Sequence, residues 1–332
     1  MKFRALGRDG PKVSTLGLGC MGMSDFYGPA ERPESLATIA AALDAGITLL
    51  DTGDFYGMGH NEMLIAEALR GRRRDGVVLS IKFGAQRGPD GGWLGYDARP
   101  QAVKTALAYS LRRLGVDHID IYRPARLDPA VPVEDTIGAI ADLIRAGYVR
   151  HIGLSEVGAA TIRRAAAIHP IADLQIEYSL LSRGIEDGIL PACRELGIGI
   201  TAYGVLSRGL ISDHVSEPAG GARDFRSHSP RFSGENRAHN LALVETLRGI
   251  AAASGATVAQ IAIAWVLAQG TDIVPLVGAR RRDRLAESLG AVDLNLDKKA
   301  LDAIARAVPR GAAAGERYPP AQMATLDSER KG

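Results

Sequence analysis

The chain has 332 residues, of which 46% are hydrophobic and 23% charged. That composition excludes disorder and allows a sizeable core. Lys+Arg 40 against Asp+Glu 38 leaves a net +2, and no basic block marks a nucleic-acid surface. Two cysteines, Cys20 and Cys193, exclude a disulfide scaffold and a Cys-rich zinc site. No run reaches the length of a membrane span, and MKFRALGRDG lacks an apolar signal-type stretch. The expectation is a soluble cytoplasmic protein.

Short apolar runs alternate with helical patterns along the chain. The hairpin-like segment Phe3–Ser14, with Arg-Asp-Gly at its turn, comes first. It is followed by a strand at Thr15–Leu18 and a helix over 33–45. Next come Ile47–Asp51 with a helix over 61–69, Asn61 being its expected N-cap, and Val77–Lys82 with a helix over 99–114. His118–Tyr122 precedes a helix over 132–146, and His151–Ser155 a helix over 159–168. Asp173–Glu177 precedes a helix over 188–196, Gly199–Tyr203 one over 257–269, and Asp272–Val277 one over 283–289.

Strand–helix alternation predicts a parallel sheet with crossover helices. Eight such units predict an α/β fold, a (β/α)₈ TIM barrel with an N-terminal β-hairpin and extra loops and helices. A doubly wound open sheet is the structural alternative. The repeat runs across every possible cut, so residues 1–332 read as one domain, with a hairpin at 1–14 and an irregular tail at 311–332. Ser207–Asn240 reads as a long binding loop or lid.

Gly17-Leu-Gly19-Cys-Met-Gly22 fits G-x-G-x-x-G. That dinucleotide fingerprint needs a helix to start at its third glycine. Here the helical pattern begins about ten residues later, which argues against a Rossmann phosphate loop. A glycine-rich first loop passing close to a ligand remains consistent.

Chemistry in such barrels sits at the C-terminal strand ends. Those ends carry Gly19, Asp51, Lys82, Arg123, Ser155, Gln175 to Glu177, Tyr203 and Val277, and Tyr56 lies in the loop after Asp51. The seven histidines are scattered, so no metal site is expected. Only seven of the 40 basic residues are lysines, which singles out Lys82 at the end of an apolar strand. A phenol is a poor acid near neutral pH. An adjacent ammonium lowers its pKa, and a buried ammonium needs a carboxylate. Asp51, Lys82 and Tyr56 therefore form a coherent proton-donating chain, suited to reducing a carbonyl. Each alone also fits a bland role: Asp51 as a cap, Tyr56 as packing, Lys82 as a snorkelling surface residue.

With DTGDFYG and GHNE (Asp51–Gly57, Gly59–Glu62), SIKFG (Ser80–Gly84), IRAGYVRHIGLSE (Ile144–Glu156), LQIEYSLLSR (Leu174–Arg183), GITAYGVLSRGL (Gly199–Leu210) and VPLVGARRRDRLAES (Val274–Ser288), the sequence resembles the aldo-keto reductase family from Leu16 to about Leu289. The resemblance implies a (β/α)₈ barrel that binds NADPH (NADP+) without a Rossmann domain. It makes Tyr56 the proton donor, Lys82 its tuning lysine and Asp51 the carboxylate that holds the lysine. The family histidine after strand four falls on Ala125, in Asp120-Ile-Tyr-Arg-Pro-Ala-Arg-Leu-Asp-Pro129, which leaves the space of an imidazole ring. Arg126 or Arg123 offers a substitute. His118 and His151 lie at the wrong end.

On the cofactor side the resemblance assigns Ser155 and Gln175 to the carboxamide and Tyr203 to the nicotinamide face. Gly19, Met21, Gly204, Leu206, Ser207 and Gly209 match the cofactor-covering loops. Gly278, where the last barrel helix opens, is assigned to the cofactor, Arg280 and Arg284 match positions near a 2′-phosphate, and Glu287 matches an adenine contact. Glu156 and Ser288 replace the usual asparagines. Phe55, Trp93, Tyr96, Ala125 and Arg126 are expected to line the substrate pocket. The function implied is NADPH-dependent reduction of a small-molecule aldehyde or ketone, with no nucleic-acid or membrane partner. The alternatives are an NADPH-binding redox sensor with little turnover, or an enzyme working in the alcohol- or sugar-oxidising direction.

Overall fold

The computed structural model describes residues 1–24, 26–214 and 224–330. Eight parallel strands close into a barrel: Gly17–Gly19, Leu49–Gly53, Val78–Phe83, Ile119–Pro124, Val149–Ser155, Ile171–Glu177, Gly199–Tyr203 and Ile273–Val277. Each strand pairs with the next in sequence, and the last pairs with the first. The open-sheet alternative is thereby excluded. Helices cover the outside because each strand is apolar on that face. Leu79, Ile81 and Phe83 pack into the outer core with helical residues such as Val103 and Leu107.

Period-two alternation sends the intervening residues into the barrel. Leu49, Ile121 and Val274 make an apolar layer at its base. The hairpin Phe3–Ala5 with Lys12–Ser14 closes that end, inserting Leu6 and Val13 into the same layer. The next layer up is polar: Asp51 lies beside Ser80 in register, and Lys82 beside Arg123.

Helix bounds follow the sequence pattern to within one or two residues, with three corrections. Asn61 does not cap its helix. Gly59 does, at φ 94°, and Asn61 is buried inside the helix, where it takes the Thr52 hydroxyl and donates to the Cys20 carbonyl at 2.9 Å. The polar stretch Ser207–Asn240 is not one loop: its last residues begin a 20-residue helix, Gly234–Ala253. Its residues 215–223 lie outside the described ones. A further helix, Lys298–Ala307, is amphipathic, packs Leu301 and Ile304 on the core, and was not expected from the sequence. After Arg310 the chain is irregular apart from short turns at Pro320–Met323 and Asp327–Glu329.

Candidate active site

Asp51 and Lys82 come from adjacent strands, and both side chains face into the barrel. Lys82 Nζ donates to Asp51 Oδ1 at 2.6 Å. Asp51 Oδ2 accepts from Ser80 Oγ at 3.0 Å and from Gln175 Nε2 at 2.6 Å. Beneath them Arg123 Nη2 donates to Ser80 Oγ at 2.9 Å, and Nη1 to Asp173 Oδ2 at 3.0 Å. Arg123 and Asp173 are fully buried. Gly153 makes room for that pair, since a Cβ there would come within 2.7 Å of Asp173 Oδ1 and 2.9 Å of Arg123 Cζ. Burial lowers the Lys82 pKa, Arg123 and Arg126 lower it further, and Asp51 opposes them. Arg123 thus belongs to the barrel interior and does not reach a substrate.

Tyr56 sits in the loop above, buried, with its ring centroid 5.1 Å from Lys82 Nζ. Among the described residues its hydroxyl forms no hydrogen bond. Burial and then Asp51 push its pKa well above the ordinary phenol, and the cation that pulls it down is Arg126. This changes the expected electrostatics. Lys82 is paired with Asp51 beneath the phenol, and Arg126, beside Ala125, adds a second positive charge that acts on it.

Ala125 is only 2% exposed, so no solvent-open gap stands where an imidazole was expected. Arg126 folds back over it, Nη1 donating to the Ala125 carbonyl at 2.6 Å and lying 3.4 Å from Ser155 Oγ. An aromatic wall flanks Tyr56. Phe55 and Phe26 meet it edge-on at centroid distances of 4.7 and 6.0 Å, and Trp93 packs on both at 5.8 and 6.2 Å. Trp93 and Tyr96 lie in a two-stranded excursion after the third barrel strand.

The opposite rim is held by the C-terminal tail. Arg317 donates to both Glu156 oxygens, at 2.9 and 2.5 Å, and to Glu177 at 3.4 Å. Ser328 Oγ and Tyr203 Oη also donate to Glu156, at 2.8 and 2.7 Å. Against the upward push of burial, Arg317 holds the Glu156 carboxyl well below the usual carboxylate range. The Tyr203 and Tyr318 hydroxyls lie 2.8 Å apart, and Arg208 stacks 4.5 Å from the Tyr318 ring. Among the described residues, the five non-glycine ones with positive φ, namely Phe26, Met58, Glu156, Ser207 and Arg208, lie in the connections at the C-terminal ends of the barrel strands. Such strain collects where a scaffold holds a site in place.

A groove of about 680 Å³ lies beside it, lined by Pro29, Ala30, Glu31, Glu34 and Arg280 to Asp283. Arg280 holds the carbonyls of Tyr27 and Pro29 at 2.9 and 3.0 Å. The N-terminus of the helix Arg282–Leu289 is already served by Glu34, which accepts from Arg282 N at 2.9 Å and from its guanidinium. Arg281 pairs with Asp283 at 2.8 Å. Arg284 is held more loosely, 3.6 Å from Glu287. Glu287 Oε1 is buried with no hydrogen-bond partner among the described residues. An orphaned buried acceptor next to the loosely held Arg284 fits a ligand carrying an amine and a phosphate.

The aldo/keto reductase family model matches residues 15–309. The chain belongs to that family. It is 43% identical over 94% of its length to a probable aldo-keto reductase 1 of Glycine max, 90% of which is covered. It is 39% identical over 96% of its length to the aldo-keto reductase yakc [NADP(+)] of Schizosaccharomyces pombe, 94% of which is covered. Among solved structures it resembles the glycerol dehydrogenase AKR11B4 of Gluconobacter oxydans, with TM-score 0.82 and 29% identity over 93% of this chain and 96% of that one. It also resembles the holo form of the aldo-keto reductase AKR11C1 of Bacillus halodurans, with TM-score 0.77 and 28% identity over 95% and 98%.

This aldo/keto reductase is therefore an NAD(P)H-dependent oxidoreductase of a family that acts on small-molecule carbonyl compounds. Its barrel brings Asp51, Tyr56, Lys82, Ser155, Gln175, Tyr203 and Arg126 to one mouth. Glu156 is turned to the tail and away from any carboxamide role. Sequence reasoning missed Phe26, Tyr27, Arg208, Arg317 and Tyr318. The aromatic pair after Ser24 was a visible signal for the first two. Nothing in the local sequence announces that Arg317 and Tyr318 return to the barrel mouth.

Proposed function

We propose that the reductase uses NADPH to reduce an aldehyde or ketone to the alcohol, with Tyr56 as proton donor. The observation that carries this is the buried Lys82–Asp51 pair beneath a phenol whose hydroxyl forms no hydrogen bond among the described residues. Bound NADPH supplies the hydride for the carbonyl carbon. Tyr56 stays protonated because burial disfavours its phenolate, and it delivers that proton to the carbonyl oxygen as charge develops there. Arg126 and Lys82 stabilise the phenolate that remains. Asp51 fixes Lys82, and Gln175 and Ser80 fix Asp51.

Ser155, Gln175 and Tyr203 would hold the nicotinamide end. Gly19, Met21, Gly204, Leu206, Ser207, Gly209 and Gly278 would line the passage between. Arg280, Arg284 and Glu287 would hold the adenosine end. The preference for NADPH rests on Arg280 and Arg284, which have no strong carboxylate partner. A guanidinium binds a phosphate in bidentate fashion. The name of the Schizosaccharomyces pombe relative carries NADP(+) as well.

The test is NADPH consumption at 340 nm against aldehydes, ketones and sugar-derived carbonyls, with Tyr56→Phe in parallel. Loss of about 10²–10⁴-fold in kcat is expected. Equal rates in the variant would sink the role of Tyr56. No turnover of any carbonyl by a folded, NADPH-binding protein would sink the reductase reading.

A further inference from the structure

Among the described residues, the cations around the barrel mouth discussed above have carboxylate partners, and Arg126 does not. Lys82 has Asp51, and Arg123 has Asp173. Arg317, Arg208 and Arg231 share Glu156, Glu177 and Glu329. Arg126 has no carboxylate within ion-pair distance among the described residues. Its only protein contacts of hydrogen-bond type are one backbone carbonyl and one serine hydroxyl. The hydroxyls that face it, Tyr203, Tyr318 and Tyr96, are phenols, and the nearest carboxylate to act on it, Glu156, is already committed to Arg317. A partly buried guanidinium without a counter-ion is costly unless a ligand supplies one.

We propose that Arg126 is a specificity-determining residue that binds the carboxylate of the substrate, so that this reductase prefers carbonyl compounds carrying a carboxylate over their neutral counterparts. The inference rests on the reductase reading above. Three features place the anion here. Arg126 follows the fourth barrel strand directly and lies 3.4 Å from Ser155 at the same strand-end rim, and its charge also acts on Tyr56. Ala125 contributes only a methyl group beside it, where a larger side chain would compete for the fork. The guanidinium donates to Ala125 and Ser155 through Nη1, so Nε and Nη2 remain to take two carboxylate oxygens. The aromatic wall of Phe26, Phe55 and Trp93 then meets the apolar body of the same substrate.

The experiment compares kcat/KM within two pairs, pyruvate with pyruvamide and 4-carboxybenzaldehyde with 4-carbamoylbenzaldehyde. One pair puts the carboxylate next to the carbonyl and the other places it across a ring. Wild type, Arg126→Gln and Arg126→Lys are assayed with saturating NADPH. At least one acid is expected to exceed its amide by about 10–100-fold, the value of a charge-assisted hydrogen-bonded pair. Arg126→Gln should bring that ratio to about one, and Arg126→Lys should restore part of it, since the charge returns without the fork. A wild-type ratio near one in both pairs, or a ratio that Arg126→Gln leaves unchanged, overturns the inference.

Calorimetric binding of oxamate, a non-reducible isostere of pyruvate, to the NADP+-loaded protein gives a readout without turnover. The affinity should fall at least tenfold in Arg126→Gln, and equal affinity for the two proteins overturns the inference. Absence of turnover together with Arg126-dependent oxamate binding would refute the reductase reading and leave the carboxylate site standing. Tyr56-dependent turnover without acid preference would do the reverse.

Discussion

Asp54 offers a test of how this active-site loop is held. It follows the second barrel strand, two residues before Tyr56, and its backbone N–H donates to the Lys82 carbonyl at 2.9 Å. Its Oδ2 takes a long bond from Gly84 N at 3.4 Å, and its Oδ1 is buried without a hydrogen-bond partner among the described residues. Glu62, itself buried and ion-paired with Arg113, faces it. Burial, and then Glu62, push the Asp54 carboxyl up from 3.8 to about 7. The fold therefore favours the neutral acid, and ionising it costs stability that appears as pH rises from the unfolded-state pKa towards about 7. Three units amount to about 4 kcal/mol, and partial contact with solvent brings this to about 2–4 kcal/mol. Asp54→Asn mimics the neutral acid at every pH. Urea unfolding of both proteins from pH 4 to 8.5 should show wild type losing about 2–4 kcal/mol relative to the variant across that range. An offset between the two proteins that does not change with pH, or that changes in wild type's favour, would refute the reasoning.

Gly153→Ala should destabilise the protein by about 2–4 kcal/mol in urea unfolding, because its Cβ would clash with both members of the Arg123–Asp173 pair. Arg123→Met should cost about 3–5 kcal/mol by leaving Asp173 buried without its cation. Arg317→Met should loosen the tail, measured as faster proteolysis after Arg310. It should also raise the Glu156 pKa, so that the stability Glu156 contributes above its unfolded pKa is lost at higher pH than in wild type. Arg280→Ala with Arg284→Ala should raise KM for NADPH by about 10–100-fold while leaving KM for NADH within about threefold.

The sequence by itself pointed to the strand–helix repeat and singled out Asp51, Tyr56 and Lys82, which the barrel brings to one mouth. Short apolar strands alternating with helical patterns left a parallel barrel or a doubly wound sheet, the closed strand order decided for the barrel, and its strand ends carry Asp51 and Lys82. These features are legible because they depend on local pattern and on the fixed inward and outward alternation of a strand. Three things were decided only by tertiary structure. Arg126 adds its charge to that of Lys82 near Tyr56, while Lys82 is paired with a carboxylate on the neighbouring strand. Glu156 leaves the cofactor face because Arg317 meets it from 161 residues away. The carboxylate at the helix Arg282–Leu289 is Glu34, 248 residues distant. Each of these follows from pairing between residues far apart in the chain, and a burial that makes such pairing obligatory exists only once the barrel has closed.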